Sequence, residues 1–476
     1  MTNAYVSPLV ERVATEEMAA LWGAQKKFST WRRCWVALAE AEQELGLPIT
    51  DEQLDQMRAH VDDIDFDAAR TFEQKTRHDV MAHIHAYALA APKAKPIIHL
   101  GATSCFVGDN TDLILIREGL DLVLTKAVNV LAKLAGFAET WKDLPTLGYT
   151  HFQPAQVVTV GKRACLWAQD VLMDLEDLEA ATARLHCRGA KGTTGTQASF
   201  LALFDGDADK VDQLDRLVAQ KLGFDASYPV TGQTYPRKVD THVLAVLAGI
   251  GESTHKWATD MRLLQNFKEV EEPFAKNQVG SSAMAYKRNP MRCERACALA
   301  RFLMTAPLHG QFTTAVQWFE RTLDDSAIRR LSLPEAFLAA DGVLNLYLNV
   351  MENPVVYPKV IEKRLRAELP FMATENILMA CVKRGGDRQE LHEVIRKHAH
   401  AAAARVKQEG ADNDLLDRLA NDPAIGMTRE DIEKVLDLQQ FVGRAPGQVT
   451  AFLEHHVRPA LERHRDRLGA ASDVRV

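Results

Sequence analysis

The chain has 476 residues, 47% of them hydrophobic and 25% charged, and a formal net charge of −7. That is ordinary globular composition, long enough for about three domains, and its acidic balance gives no support to a nucleic-acid or membrane-surface partner. Seven cysteines are scattered without a CxxC pair, which reads as reduced thiols in a cytoplasmic protein, and no Cys/His cluster has metal-ligand spacing.

Residues 1–28 are mixed, carry Arg12 in a loop-like start and lack the apolar core of a signal segment. No stretch approaches the roughly 18 apolar residues of a membrane span. Ser29–Thr30 is placed to cap a helix running to about Leu45, where Gly46 and Pro48 stop it. Residues 51–92 read as further helices. One of them, KTRHDVMAHIHAYALA, brings His78, His83 and His85 close together. His78 and His85 are seven apart and can share a face, whereas His83 and His85 read as packing or exposed histidines. Pro92 and Pro96 break the chain, and IIHLGATS follows as a tight turn with His99, Thr103 and Ser104.

From Asp109 the pattern is helical for over thirty residues, until Pro145. The loop TLGYTHFQP carries His151, with Pro154 where a first helical turn would begin. Val157, Val160, Ala164, Trp167, Val171, Leu175 and Leu178 then recur at helical steps. RGAKGTTGTQASF is glycine-rich but lacks the terminal Gly-Lys-Ser/Thr of a P-loop and follows no strand, so it reads as a connection. A third long helix is expected over Lys238–Lys268, a fourth from Pro290 and a fifth from Pro334. Alternating runs are almost absent. Long helices with narrow apolar stripes predict an all-α protein built on a bundle, with domains at 1–104, 105–356 and 357–476. Such stripes need more helical faces than one chain supplies, which favours packing against copies of the same chain.

The chemistry concentrates in VGSSAMAYKRNPMRCER, residues 279–295. A small, flexible run holds Ser281 and Ser282. Asn289–Pro290 is a helix-start signal, Asn as N-cap and Pro at the first helical position. Lys287, Asn289 and the amides of that start suit a site in which a base removes a proton next to a carboxylate, because the resulting carbanion needs preorganised donors and positive charge. Ser281 can be the base only if its anion is favoured, and residue chemistry alone ranks serine behind histidine and glutamate. A histidine is the usual acid for the departing group. His151 is a candidate, and Glu294 can fix its tautomer if the fold joins them.

The spacing G-S-S-x-M-x-x-K-x-N-P resembles the signature loop of the aspartase/fumarase superfamily, as do IIHLGATSCFVGDNTD and THFQPAQ. TGQTYPRK, QWFERTLDDSA and the fuller loop SSAMAYKRNPMRCE look like the adenylosuccinate lyases of the animal type. The resemblance covers nearly the whole chain. It implies the three-domain fold of that superfamily and an anti elimination that breaks a C–N bond and releases fumarate, from adenylosuccinate and from the succinylcarboxamide ribotide of purine synthesis. Neither metal nor organic cofactor is implied. Ser281 matches the family's base and His151 its acid, with Lys287 and Glu294 in the catalytic set. Arg12, His78, Asp79, His99, Thr103, Ser104, Thr150, Gln233, Asn289, Arg321, Ser326 and Arg330 match substrate-binding positions, and clustered arginines suit a substrate with one phosphate and two carboxylates. The resemblance also implies a homotetramer whose sites are each shared by three chains. There are departures: Ala285 stands where the loop usually has proline, Val13 where many relatives have tyrosine, and Ile328 where a polar residue is common. Two alternatives remain at this level, a sister fumarate-releasing lyase and a catalytically silent helical homologue.

Overall fold

The structure is a computed structural model that describes residues 5–274, 278 and 281–472. Val279 and Gly280, the first two positions of the signature stretch, lie outside the described residues. Among the described residues the chain is mostly helical, with two short antiparallel strand pairs. Among the described residues no helix is long and apolar enough to cross a membrane.

A short helix, α1 (Pro8–Arg12), precedes α2 (Ala24–Glu44), in which Trp31, Trp35, Leu38 and Ala41 are buried. Helix α2 begins earlier than its Ser-Thr pair suggested. Gly23 is its N-cap, and Thr30 lies inside the helix with its hydroxyl bonded back to the Lys26 carbonyl at 2.8 Å, the local satisfaction that lets threonine sit mid-helix. Three helices follow over 51–90, the last being α3 (Asp79–Ala90). His83 packs within this region as expected: it stacks on Phe28 at 3.7 Å between centroids, and burial lowers its pKa to about 4.

The bundle rests on three long helices. Helix α4 (Ser104–Thr140) has 37 residues and starts five residues before the expected Asp109, with Thr103 as N-cap. A hairpin of β1 (Pro145–Thr150) and β2 (Gln153–Thr159) follows it. This corrects the loop reading: Pro154 belongs to a strand, and α5 (Val160–Ala183) begins six residues later. Gly161 is obligatory there, since a Cβ would lie 2.3 Å from the Ala138 carbonyl oxygen. Helix α6 (Lys238–Asn266) runs 29 residues and leads into β3 (Val270–Glu271). Helix α7 (Met291–Met304) returns along it. Helix α8 (Asp324–Glu352) starts ten residues before Pro334, which lies inside it. An interior proline costs about 3 kcal/mol. Ion pairs from Asp325 and Arg329 in the preceding turns to Arg237 and Asp240 hold those turns in place and offset that cost. Strand β4 (Val355–Val356) pairs with β3, and α9 (Pro358–Met372) follows.

These contacts fix direction. The first turns of α4 and α8 meet at Arg237, just before α6, and the ends of α6 and α8 meet through β3 and β4. So α4, α6 and α8 run parallel, with α5 and α7 returning. One large apolar core joins residues 9–461 across the N-terminal helices and the bundle. Ala373–Ile432 form a second core, and Leu147, Val157, Leu365, Leu369 and Val442 a small third one under the hairpin.

Candidate active site

Apart from Arg12, the site residues expected from sequence fall into two sets, at opposite ends of the bundle. At the N-terminal end, His78 caps α3, accepting from the Met81 amide through Nδ1 at 3.3 Å, while its Nε2 lies 3.3 Å from Ser104 Oγ. Asp79 sits beside it and pairs with Arg330 at 3.4 Å. His99 accepts a bond from Trp35 Nε1 through Nδ1 at 2.9 Å. Burial, reinforced by the charge of His78, lowers the His99 pKa to about 4, so the ring is neutral with its proton on Nε2. Gln233 Oε1 accepts from Arg321 Nη1 at 3.2 Å, and Arg321 also contacts Cys105 Sγ. Ser326 lies on the first turn of α8. Arg12 is exposed at the end of α1 and belongs to neither set: its neighbour Val13 lies against Gly342 and Thr15 donates to Asp341, both in the middle of α8.

Beneath this set lies a buried ionic network that sequence reading did not single out. Arg237 grips Asp109 and reaches Asp325 with Nε at 2.6 Å. Arg329 pairs with Asp240 at 2.6 Å and Asp112 at 2.9 Å and contacts the Tyr235 hydroxyl. Arg188 donates to the Gln233 carbonyl at 2.9 Å. Burial alone would push the Asp109 carboxyl up; Arg237 and Arg329 outweigh it and hold the group below the usual range. The charged positions of VGDN, YPRK and DDSAIRR were therefore the available signal, since charges this deep persist only when paired. The glycine-rich connection is a connection: Lys191 is buried on Asp215 at 2.7 Å, and Arg188 donates to the Gly192 carbonyl at 2.8 Å.

At the other end, His151 and Phe152 form the two-residue tip of the β1–β2 hairpin, both in the left-handed region with φ of 53° and 59°. Thr150 is the last residue of β1. His151 is exposed. The signature loop is anchored nearby. Gln265, in the last turn of α6, donates to the Arg288 carbonyl at 3.0 Å, and Arg288 pairs with Glu271 at 3.5 Å. Ser281 Oγ accepts from the Ala283 and Met284 amides at 3.3 and 3.1 Å. Both donors favour a negative charge on that oxygen. Lys287 is exposed on the same loop. The helix start differs from expectation. Pro290 is the N-cap of α7, and the capping acceptor is Glu272, whose buried carboxylate takes the Arg292 and Cys293 amides at 3.2 Å. Proline at the boundary cannot supply a side-chain acceptor, so an acid just after β3 does. Asn289 accepts from Met291 through its carbonyl at 2.8 Å. Among the described residues no hydrogen bond or ion pair joins Glu294 to His151.

The two sets are separated by α6, whose 29 residues span about 43 Å. The structure thus gathers Arg321, Arg330, His78, Ser104 and Gln233 at one end, and the hairpin tip and signature loop at the other.

Comparison with known proteins gives the family. Residues 12–303 match the family model described as Lyase, and residues 370–452 that described as Adenylosuccinate lyase C-terminus. The adenylosuccinate lyase of Saccharomyces cerevisiae is 56% identical over 96% of both chains, and that of Schizosaccharomyces pombe 55% identical over 96% of both. Among solved structures, 3-carboxy-cis,cis-muconate lactonizing enzyme from Pseudomonas putida superposes with a TM-score of 0.82 at 20% identity, covering 97% of this chain and all of that one, which speaks for the fold alone. The chain belongs to the lyase family and, within it, to the adenylosuccinate lyases.

Proposed function

We propose that this chain cleaves adenylosuccinate to AMP and fumarate, and the succinylcarboxamide ribotide likewise, in a homotetramer whose sites each draw on three chains. The observation that carries the shared site is the separation along α6. Phosphate- and carboxylate-binding groups sit at one end and the candidate base and acid at the other, so a parallel chain alone cannot close a site, whereas neighbouring chains packed in opposite directions can.

In that site Ser281, its oxyanion favoured by two amides and by Lys287, takes the proton next to a carboxylate. The C–H electrons form the fumarate double bond as the C–N pair leaves with nitrogen, which His151 protonates. Glu294 of a neighbouring chain fixes the tautomer of that histidine. Arg321 and Arg330, with His78, Ser104 and Gln233, hold the anionic ends of the substrate. No step calls for a cofactor. We divide the chain at 104 and 356. The second core, Ala373–Ile432, supports the last unit, while the first shares its core with the bundle. Seven free, buried cysteines and a net charge of −7 favour cytoplasmic residence and no nucleic-acid partner.

The test is direct. Purified protein is offered adenylosuccinate, argininosuccinate, aspartate and malate, and fumarate is measured. Release from adenylosuccinate is expected; release only from one of the others would overturn the assignment.

A further inference from the structure

We propose that Arg364 is a positioning residue for His151, acting from a helix outside the bundle. The proposal rests on His151 being the general acid. A two-residue tip with both φ positive fixes the turn itself but not the direction in which the hairpin leans. That direction is set by three rings. Tyr149, Phe152 and Phe267 lie mutually 5.8 to 5.9 Å apart between centroids, with Phe267 ending α6.

Arg364, on α9, clamps this stack. Its guanidinium carbon lies 4.2 Å from the Phe267 centroid, Nη2 donates to the Tyr149 hydroxyl at 3.3 Å, and Nε donates to Glu269 Oε1 at 2.8 Å. The Glu269 side chain is only 1% exposed, so the ion pair is firmly based. One planar group thus joins the strand that ends beside His151, the end of α6 and a buried carboxylate. Lysine cannot do the same, because an ammonium has neither the fork nor the flat face. An acid must come within about 3 Å of the nitrogen it protonates, and a displacement of about 1 Å costs up to a hundredfold in rate. The small core that Leu365 and Leu369 share with Leu147 and Val157 makes α9 and the hairpin one packed unit, which gives the clamp its leverage.

The test uses the full-length enzyme and Arg364→Lys, which keeps a cation for Glu269. The expected result is a fall in kcat of between about ten- and a hundredfold with KM within about twofold. In the His151→Gln background, residual turnover should show no further loss, because there is no acid left to misplace. A general structural role would instead lower turnover by the same factor in both backgrounds. Equal losses, a wild-type kcat, or a loss confined to KM would each overturn the proposal. If Arg364→Lys fails to fold, Tyr149→Phe removes only the hydroxyl end of the clamp and carries the same comparison. Full activity in His151→Gln alone would instead remove the acid assignment on which the proposal stands, and that outcome is read independently of Arg364.

Discussion

Arg237 holds Asp109 by two parallel bonds of 3.1 Å each, across 128 residues of sequence, with both side chains buried. Asp109 also takes the Tyr235 amide at 2.8 Å. One carboxylate therefore fixes the chain on either side of Pro236, two residues after the turn that presents Gln233. Asp109→Asn keeps the shape and removes the charge. Arg237 retains Asp325 but loses its two-pronged partner, and breaking a buried pair costs roughly 3–5 kcal/mol. The expected outcome is a large drop in the denaturation midpoint together with a higher KM for adenylosuccinate, because Gln233 and Arg321 lose their footing. A variant with wild-type stability would show that the network is not what holds this end.

Gly232 tests the same end from the backbone. A Cβ there would lie 2.4 Å from the Glu320 carbonyl oxygen and 2.9 Å from its Cα, while the next residue, Gln233, donates its amide to that carbonyl at 3.0 Å. Gly232→Ala must push the segment leading to Arg321 away from the one carrying Gln233, an overpacking of about 1–3 kcal/mol. We expect KM to rise more than kcat falls, since the displaced groups are those proposed to bind substrate and not to move protons. An unchanged KM would separate Gln233 and Arg321 from binding.

Glu42 on α2 has no exposed surface, and neither carboxyl oxygen has a partner among the described residues. Burial raises its pKa to about 9. The sign follows. Below the unfolded pKa of about 4.3 both states carry the proton. Above it the unfolded chain releases the proton while the folded one keeps it, so stability falls as pH rises towards 9, by about 1.4 kcal/mol per pH unit. Glu42→Gln cannot ionise. Its stability relative to wild type should therefore climb between pH 5 and 8, read from chemical denaturation at each pH. A flat difference would mean that Glu42 is ionised in the folded protein.

The long helices were legible because stripes such as Val243, Leu247, Ile250, Trp257 and Met261 repeat at the helical period, and all five are buried. Helix ends were not. The continuation through Pro334 and the Glu272 cap depend on partners far away in sequence, which a local pattern does not contain. The hairpin was missed because its tip is His151–Phe152 and not Asn-Gly or Asp-Gly, the pair that announces two positive φ angles. Ser281 and His151 could be named from their motifs. That their segments lie at the far end of the bundle from Gln233 and Arg321 is a property of topology, and no spacing along the chain records it.

The proposed three-chain site yields the sharpest prediction. His151→Gln and Ser281→Ala should each be nearly inactive, for different reasons. In the proposed roles, the first leaves an amine to depart unprotonated and the second leaves no base, with no core cavity since Ser281 sits in a polar loop. If the two groups reach one site from different chains, mixing the dissociated variants and letting them reassemble creates whole sites. With equal random mixing, a site draws an intact His151 about half the time and an intact Ser281 about half the time, so roughly a quarter of sites are complete. Activity should rise from near zero to about that fraction of wild type. Hybrids verified by native mass spectrometry that stay inactive would mean that His151 and Ser281 serve a site from one chain, and the three-chain division of the site would have to be abandoned.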